Sequence, residues 1–195
     1  MNAPRVVAII LAAGEARRFG SPKQLLDWKG QPLLRHVALQ ALAAPVAEII
    51  VVLGAHAPRV APAVHGLPVV LAVNHAWRQG MSASVKVGLR AARVEPDAAI
   101  FLLADQPLVG PELIHRVIQA HITTGATIVA PRAGHRPGNP VLFARAHFPE
   151  LMQLTGDQGG RGVMRAHGDA IHWLDADAGA VFDIDTPADL TPRKV

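Results

Sequence analysis

The sequence predicts an α/β fold in which helices cover both faces of a mainly parallel sheet, a three-layer αβα sandwich. Three observations lead there. Short unbroken runs of β-branched and aliphatic residues recur along the chain, as strands buried on both faces require. Segments with apolar residues at helical spacing fall between those runs, so strands and helices alternate. Half of the 195 residues are hydrophobic, yet only 4% are aromatic and none is Tyr. The core must therefore be built from Ala, Val, Leu and Ile.

Val6–Leu11 reads as the first strand. Pro32 can open a helix on which Leu33, Leu34, Val37, Ala38 and Ala41 keep helical spacing. Ile49–Leu53 and Val69–Val73 are the second and third strands. Ser82 is expected to cap a helix that runs to about Ala92, with Val85 and Leu89 four residues apart. Ala98–Leu103 is a fourth strand that leads to Asp105, and Pro111 begins a helix reaching about His121. Thr127–Ala130 is a fifth strand. The rhythm then changes: Pro131–Pro140 is rich in Gly, Pro and Arg, and Pro140–Phe143 reads as a short strand. Gly156–Gly162 is a flexible loop before a helix near Val163–His167. Ile171–Leu174 and Ala180–Phe182 read as two final short strands. No linker, repeat or low-complexity tract interrupts residues 1–195, so one domain is expected.

Composition removes several classes of function. There is no Cys, which excludes disulfides, thiolate metal sites and cysteine nucleophiles. The formal charge of +4 comes mostly from scattered Arg rather than a basic run with interleaved aromatics, so no nucleic acid is expected as a partner. A small polyanionic substrate suits an Arg-rich cleft. The apolar run Val6–Ala13 is too short to span a bilayer and lacks the layout of a cleavable signal, so no membrane association and a cytoplasmic location are expected. The ten histidines include no H-E-x-x-H and no H-x-H pair, and read as surface or half-buried imidazoles. Ser82 and Ser84 are not in a G-x-S-x-G elbow.

The first strand runs into Leu11-Ala12-Ala13-Gly14-Glu15-Ala16-Arg17-Arg18-Phe19-Gly20-Ser21-Pro22-Lys23. Small residues let backbone N–H groups approach an anion, and ligands of α/β sheets sit at strand ends. Arg18 can grip phosphate oxygens as a fork, and Lys23 acts as a mobile point charge. The spacing fits neither G-x-x-x-x-G-K-[ST] nor G-x-G-x-x-G. On composition alone, a plain solvated βα loop is about as good a reading.

The full string L-A-A-G-x-x-x-R-x-G-x-x-K resembles the signature of nucleotidyltransferases that activate sugars, isoprenoid precursors and the molybdenum cofactor. Its continuation, Ser21-Pro22-Lys23-Gln24-Leu25-Leu26 and then Gly30-Gln31-Pro32-Leu33-Leu34, looks most like the molybdenum cofactor cytidylyltransferases of the MobA-like NTP transferase family. Further matches follow in order: Asn74 with Gly80-Met81-Ser82-Ala83-Ser84, Leu103-Ala104-Asp105-Gln106-Pro107, Gly138-Asn139-Pro140, Gly156-Asp157-Gln158-Gly159-Gly160-Arg161 and Asp183-Ile184-Asp185-Thr186-Pro187. They cover nearly the whole chain.

The resemblance implies a Rossmann-like sandwich of the nucleotide-diphospho-sugar transferase type. It also implies Mg2+ on Asp105 and Asp185, with Arg18 and Lys23 on the triphosphate. These four are the implied catalytic residues. Leu11, Ala12, Ala13 and Gly14, with Asn74, Gly80 and Ser82, would surround the nucleotide. Asp183 competes with Asp185 for the second metal position, and Asp185 is preferred on an expected difference in facing. Read without the family, Asp105 and Asp185 serve equally as turn and helix caps. Asn139, Asp157 and Arg161 are candidate acceptor contacts, with Arg132 and Arg136 as weaker ones. The implied partners are a nucleoside triphosphate, CTP before GTP, and a phosphorylated small-molecule acceptor, with a molybdoenzyme or its chaperone downstream. A different phosphorylated acceptor and a non-catalytic nucleotide-binding accessory protein remain as alternatives.

Overall fold

The computed structural model describes residues 4–16 and 19–190. Its strands are β1 (Val6–Ala12), β2 (Asp27–Trp28), β3 (Gln31–Pro32), β4 (Glu48–Leu53), β5 (Val70–Val73), β6 (Ala98–Leu103), β7 (Ile128–Ala133), β8 (Arg136–Pro137), β9 (Val141–Ala144) and β10 (Ile171–Asp175). The helices are α1 (Leu33–Leu42), α2 (Ala57–Val60), α3 (Met81–Ala91), α4 (Pro111–Thr124), α5 (Phe148–Leu151) and α6 (Arg161–Ala166). Short 3-10 turns join several of them.

The main sheet runs β10–β7–β9–β6–β1–β4–β5, with β8 attached to β7. β1 lies between parallel β4 and β6, and β5 extends the same direction beyond β4. β8 and β9 are the antiparallel members. β9 lies between β6 and β7, and all four of its residues are buried. The mainly parallel sandwich is thus as the alternating pattern predicts.

Side-chain alternation divides the core into two layers. Val6, Ala8, Ile10 and Ala12 of β1 pack with α1, α2 and α4 through residues such as Leu34, Val60 and Ile114. Val7 and Ile9 face the other way, toward Val85 of α3, Leu151 of α5 and Val163 of α6. No helix among the described residues is long and apolar enough to cross a membrane.

Four expectations change. α3 begins at Met81 rather than at a Ser82 cap, because Gly80 precedes it in an extended, positive-φ conformation and the Ser82 N–H donates to the Gly156 carbonyl instead. β7 continues through Pro131 to Ala133, since the Pro131 carbonyl still accepts from the Gly138 N–H at 2.9 Å across the hairpin to β8. α4 runs on to Thr124 and stops where Gly125 turns left-handed. The expected strand Ala180–Phe182 is absent. Ala178–Val181 forms a 3-10 turn, which the Asp177 carboxylate caps by accepting from the Gly179 N–H at 2.8 Å.

Gly88 shows how closely α3 lies on the sheet: a Cβ there would collide with an Ile9 methyl and press on Val52. Gly88→Ala should destabilise the fold by about 1–3 kcal/mol, the usual cost of overpacking. Alanine's helix preference returns only roughly 1 kcal/mol of that. Urea unfolding checks the sign, and an unchanged or higher midpoint would show that the layer yields freely.

Candidate active site

β1 and β6 end together. Leu11 of β1 lies opposite Leu103 of β6, and the Ala104 N–H donates to the Leu11 carbonyl at 3.2 Å. The residues after both strands therefore open onto one cleft, where α/β sheets hold their ligands. A cavity of about 260 Å3 lies there, lined by Leu11, Ala12, Ala13 and Gly14 on one wall and by Leu103 to Asp105 on the next.

The loop is tied down by a residue whose role the sequence pattern did not disclose. Gln24 is buried, and its Nε2 donates to the carbonyls of Ala12 (2.8 Å) and Gly14 (3.1 Å). It thereby fastens the short turn Lys23–Leu25 against the end of β1. Lys23, in the same turn, places its Nζ 2.8 Å from Asp185 Oδ1 and 3.8 Å from Asp105 Oδ2. Arg18 lies outside the described residues.

The opposite wall is made by Trp77, Gly80, Met81 and Ser84, with Asp157 approaching from a later loop. Gly80 has φ +96°, and a Cβ on it would come within 2.5 Å of the Gly156 backbone. Only glycine meets both demands. The contact is locked by the Ser82 N–H on the Gly156 carbonyl (3.1 Å) and the Met81 N–H on Asp157 Oδ1 (2.9 Å). Asn74 and Ser82 do not line this cavity. Both are buried behind its wall, where Asn74 donates to Ser84 Oγ at 3.0 Å and accepts from the Ala76 N–H at 2.9 Å. The Asn74 side chain is engaged within the turn, and both residues line a separate cavity of about 450 Å3 beside Gly156.

Three carboxylates converge at the mouth. The Asp105 carbonyl accepts from the Ile184 N–H at 2.9 Å, which brings the segment 183–185 alongside. Asp183 Oδ1 accepts from Gln106 Nε2 at 2.7 Å, while Asp185 takes Lys23. Burial pushes the Asp105 carboxyl above its ordinary range. Asp183 adds to the rise and Lys23 opposes it. Residues two apart along an extended segment share a side, so facing does not separate Asp183 from Asp185 as expected. Their partners separate them instead: Asp183 is engaged by an amide and Asp185 by a displaceable ammonium. Carboxylate oxygens are the donors that a hard divalent cation takes.

A second cavity, of about 130 Å3, shares Leu11, Met81, Leu103 and Asp157 with the first. Its interior is apolar, with Val85, Phe101, Phe143 and Met164, and Asn139 and Arg161 also line it. The three expected acceptor contacts, Asn139, Asp157 and Arg161, are thus brought together. Arg132 is not among them: it pairs with Asp175 at 3.0 Å, and Arg136 is exposed on the neighbouring β8.

Gly80→Ala should force the walls apart, weakening nucleoside triphosphate binding by on the order of tenfold or more, with strain costs of about 1–3 kcal/mol. Calorimetric titration checks it, and unchanged affinity would show that this contact does not shape the cleft.

Comparison with known proteins identifies the fold and the family. The MobA-like NTP transferase domain family matches residues 8–171. The nicotine blue oxidoreductase of Paenarthrobacter nicotinovorans is 30% identical over 192 residues, which is 94% of this chain and 93% of that one. The purine catabolism protein PucB of Bacillus subtilis (strain 168) is 28% identical, covering 96% of this chain and 95% of PucB. Rv0371c of Mycobacterium tuberculosis H37Rv superposes with a TM-score of 0.84 at 29% identity, over 96% of both chains. Its manganese complex gives a TM-score of 0.81 at 27% identity over 95% of each. With the loop after β1, the paired strand ends and the match over most of its length in agreement, the chain belongs to the MobA-like NTP transferase family.

Proposed function

We propose that this nucleotidyltransferase moves CMP from CTP onto the terminal phosphate of molybdenum cofactor, in the cytoplasm, for delivery to a molybdoenzyme or its chaperone. Nucleotidyl transfer follows from the family. The triphosphate in this reading rests chiefly on one observation: Lys23 sits between Asp105 and Asp185 at the mouth of a loop fastened by Gln24. An ammonium held by carboxylates is poised to exchange them for a polyphosphate. The adjoining apolar cavity, with Arg161 and Asn139 on its lining, suits a flat heterocycle carrying a phosphate. The preference for cytidine rests on the resemblance of Pro22-Lys23-Gln24-Leu25-Leu26 to the cytidylyl branch.

In this reading an acceptor phosphate oxygen attacks the α-phosphorus. A new oxygen–phosphorus bond forms, the bond to the β-phosphate oxygen breaks, and pyrophosphate leaves. A phosphate monoester is largely ionised at neutral pH, so no strong general base is needed. Lys23 and the loop after β1 hold the triphosphate, and Arg161 and Asp157 orient the acceptor. Asp105 and Asp185 would hold Mg2+, which supplies charge neutralisation between two polyanions. The manganese complex of Rv0371c supports a divalent ion in this family. A relative named as an oxidoreductase favours a second reading, redox chemistry in the same cleft. The lysine and carboxylates at its mouth argue for a metal-bound triphosphate.

Pyrophosphate release from CTP, GTP, ATP and UTP, with and without molybdenum cofactor, tests the assignment. CTP with the cofactor should give the highest rate, and release from no triphosphate would support the redox reading. At equal magnesium, CTP should also raise the melting temperature more than GTP. A larger shift with GTP reverses the choice of base.

Asp105→Asn and Asp185→Asn should fold normally yet lose turnover by on the order of 100-fold to 1,000-fold. Lys23→Ala should lose about 100-fold and also bind CTP more weakly. Asp183→Asn should be milder. If it proves the severe variant, Asp183 and not Asp185 is the second ligand.

A further inference from the structure

Away from the cleft, three side chains with ligating atoms meet where the turn before α5 approaches the end of α6. They are His147 in the 3-10 turn Arg145–His147, Glu150 on α5 and His167 just after α6. One ligating atom from each lies within 4.8 Å of the others. His167 Nε2 is 2.8 Å from Glu150 Oε2, and His147 Nδ1 is 3.5 Å from Glu150 Oε1. The two imidazoles stand edge to face with centroids 4.7 Å apart.

His147 carries the argument. Its side chain is only 8% exposed. Nε2 lies 3.0 Å from Thr127 Oγ1, while Nδ1 is buried and makes no hydrogen bond. A buried nitrogen left this way carries a desolvation penalty that a ligand would remove. In the tautomer whose Nε2 donates to Thr127 Oγ1, the Nδ1 lone pair faces the cluster. Metal-binding histidines commonly donate the far N–H to an oxygen acceptor, which fixes the tautomer, and Thr127 Oγ1 stands in that position here. The hydrogen bond from His167 holds the Glu150 carboxyl below its usual range, so it is charged at neutral pH.

We infer that His147 Nδ1, Glu150 and His167 Nε2 form a site for a borderline transition-metal ion, Zn2+ above all. Two imidazoles and one carboxylate are a known zinc donor set, with the fourth position left to water. Nitrogen donors distinguish it from the oxygen-only cluster at the cleft, which suits Mg2+. Ligand atoms around tetrahedral zinc sit roughly 3.3 Å apart. Binding therefore needs only a small opening of the His167–Glu150 contact and closing of the others, with the ring proton of His167 carried on Nδ1 so that Nε2 is free to ligate. The ion would pin the end of α6 to the turn before α5. α6 begins at Arg161 and buries Val163 and Met164, so the clamp fixes one side of the second cavity without touching it. This holds whatever reaction the cleft performs.

The test uses full-length protein stripped with chelator and titrated with Co2+ and Zn2+. One equivalent of Co2+ should give the intense visible d–d bands of a four-coordinate site, and excess Mg2+ should not displace them. Zn2+ at a hundred times its dissociation constant should raise the melting temperature by about 5–10 °C. His167→Ala and Glu150→Gln alter partly exposed side chains, so both should fold without metal while losing affinity by on the order of 100-fold. Asp105→Asn should leave the bands intact. Absence of the bands, equal affinity in both cluster variants, or loss of the bands in Asp105→Asn would overturn the inference. In any of those cases the cluster is an ion pair over a buried histidine.

Discussion

The cleft depends on β1 being held on both edges by parallel neighbours. Its ladders to Glu48–Leu53 and to Ala98–Leu103 fix the register on each side, and apolar layers fix both faces. The chain leaving Ala12 therefore has one place to emerge, level with the end of β6. Burial of the strand thus determines where a glycine-bearing loop and Asp105 meet. Sheet packing comes first, and the polar groups are positioned by it.

Around that junction the electrostatics are unbalanced by construction. Asp105, Asp183 and Asp185 crowd one mouth, and among the described residues Lys23 is the ammonium set among them. Burial and neighbouring negative charge both disfavour ionisation of Asp105. Such an arrangement is costly by itself and becomes favourable when cations and a polyanion arrive together. The tethers that maintain it are neutral: Gln24 on two loop carbonyls, Gln106 on Asp183, and backbone N–H groups on Gly156 and Asp157. Neutral tethers keep their hold when the charges around them change partners.

Much of the fold was legible because its signals are local. The aliphatic runs at Val6–Leu11, Ile49–Leu53 and Ala98–Leu103 can hardly be anything but buried strands, and Leu34, Val37 and Ala41 mark one helix face. What escaped depends on distant partners. Pro131 reads as a stop, yet hairpin pairing carries β7 past it. Ala180–Phe182 has strand-like residues, but Asp177 and Gly179 turn the backbone. The site follows the same division. The loop after β1 and Asp105 announce themselves by motif, whereas Gln24 matters because two carbonyls happen to lie within its reach. Asn74 and Ser82 carry motif positions but serve behind the wall. His147, Glu150 and His167 form no sequence motif, so ten scattered histidines read as unremarkable until the fold brings two of them together.

The antiparallel strand β9 has a consequence for how the protein is made. β9 lies between β6 and β7 in space but follows both in the chain. On the ribosome, β1, β4, β5 and β6 can assemble in sequence, while β7 emerges with its eventual neighbour unsynthesised. Until residue 144 has left the exit tunnel, β6 lacks its neighbour and presents an unpaired, apolar edge, the kind of surface that pairs with the wrong strand. A nascent chain that has made β7 but not β9 therefore leaves that edge unpaired, and β9 removes it by inserting between two strands that are already made.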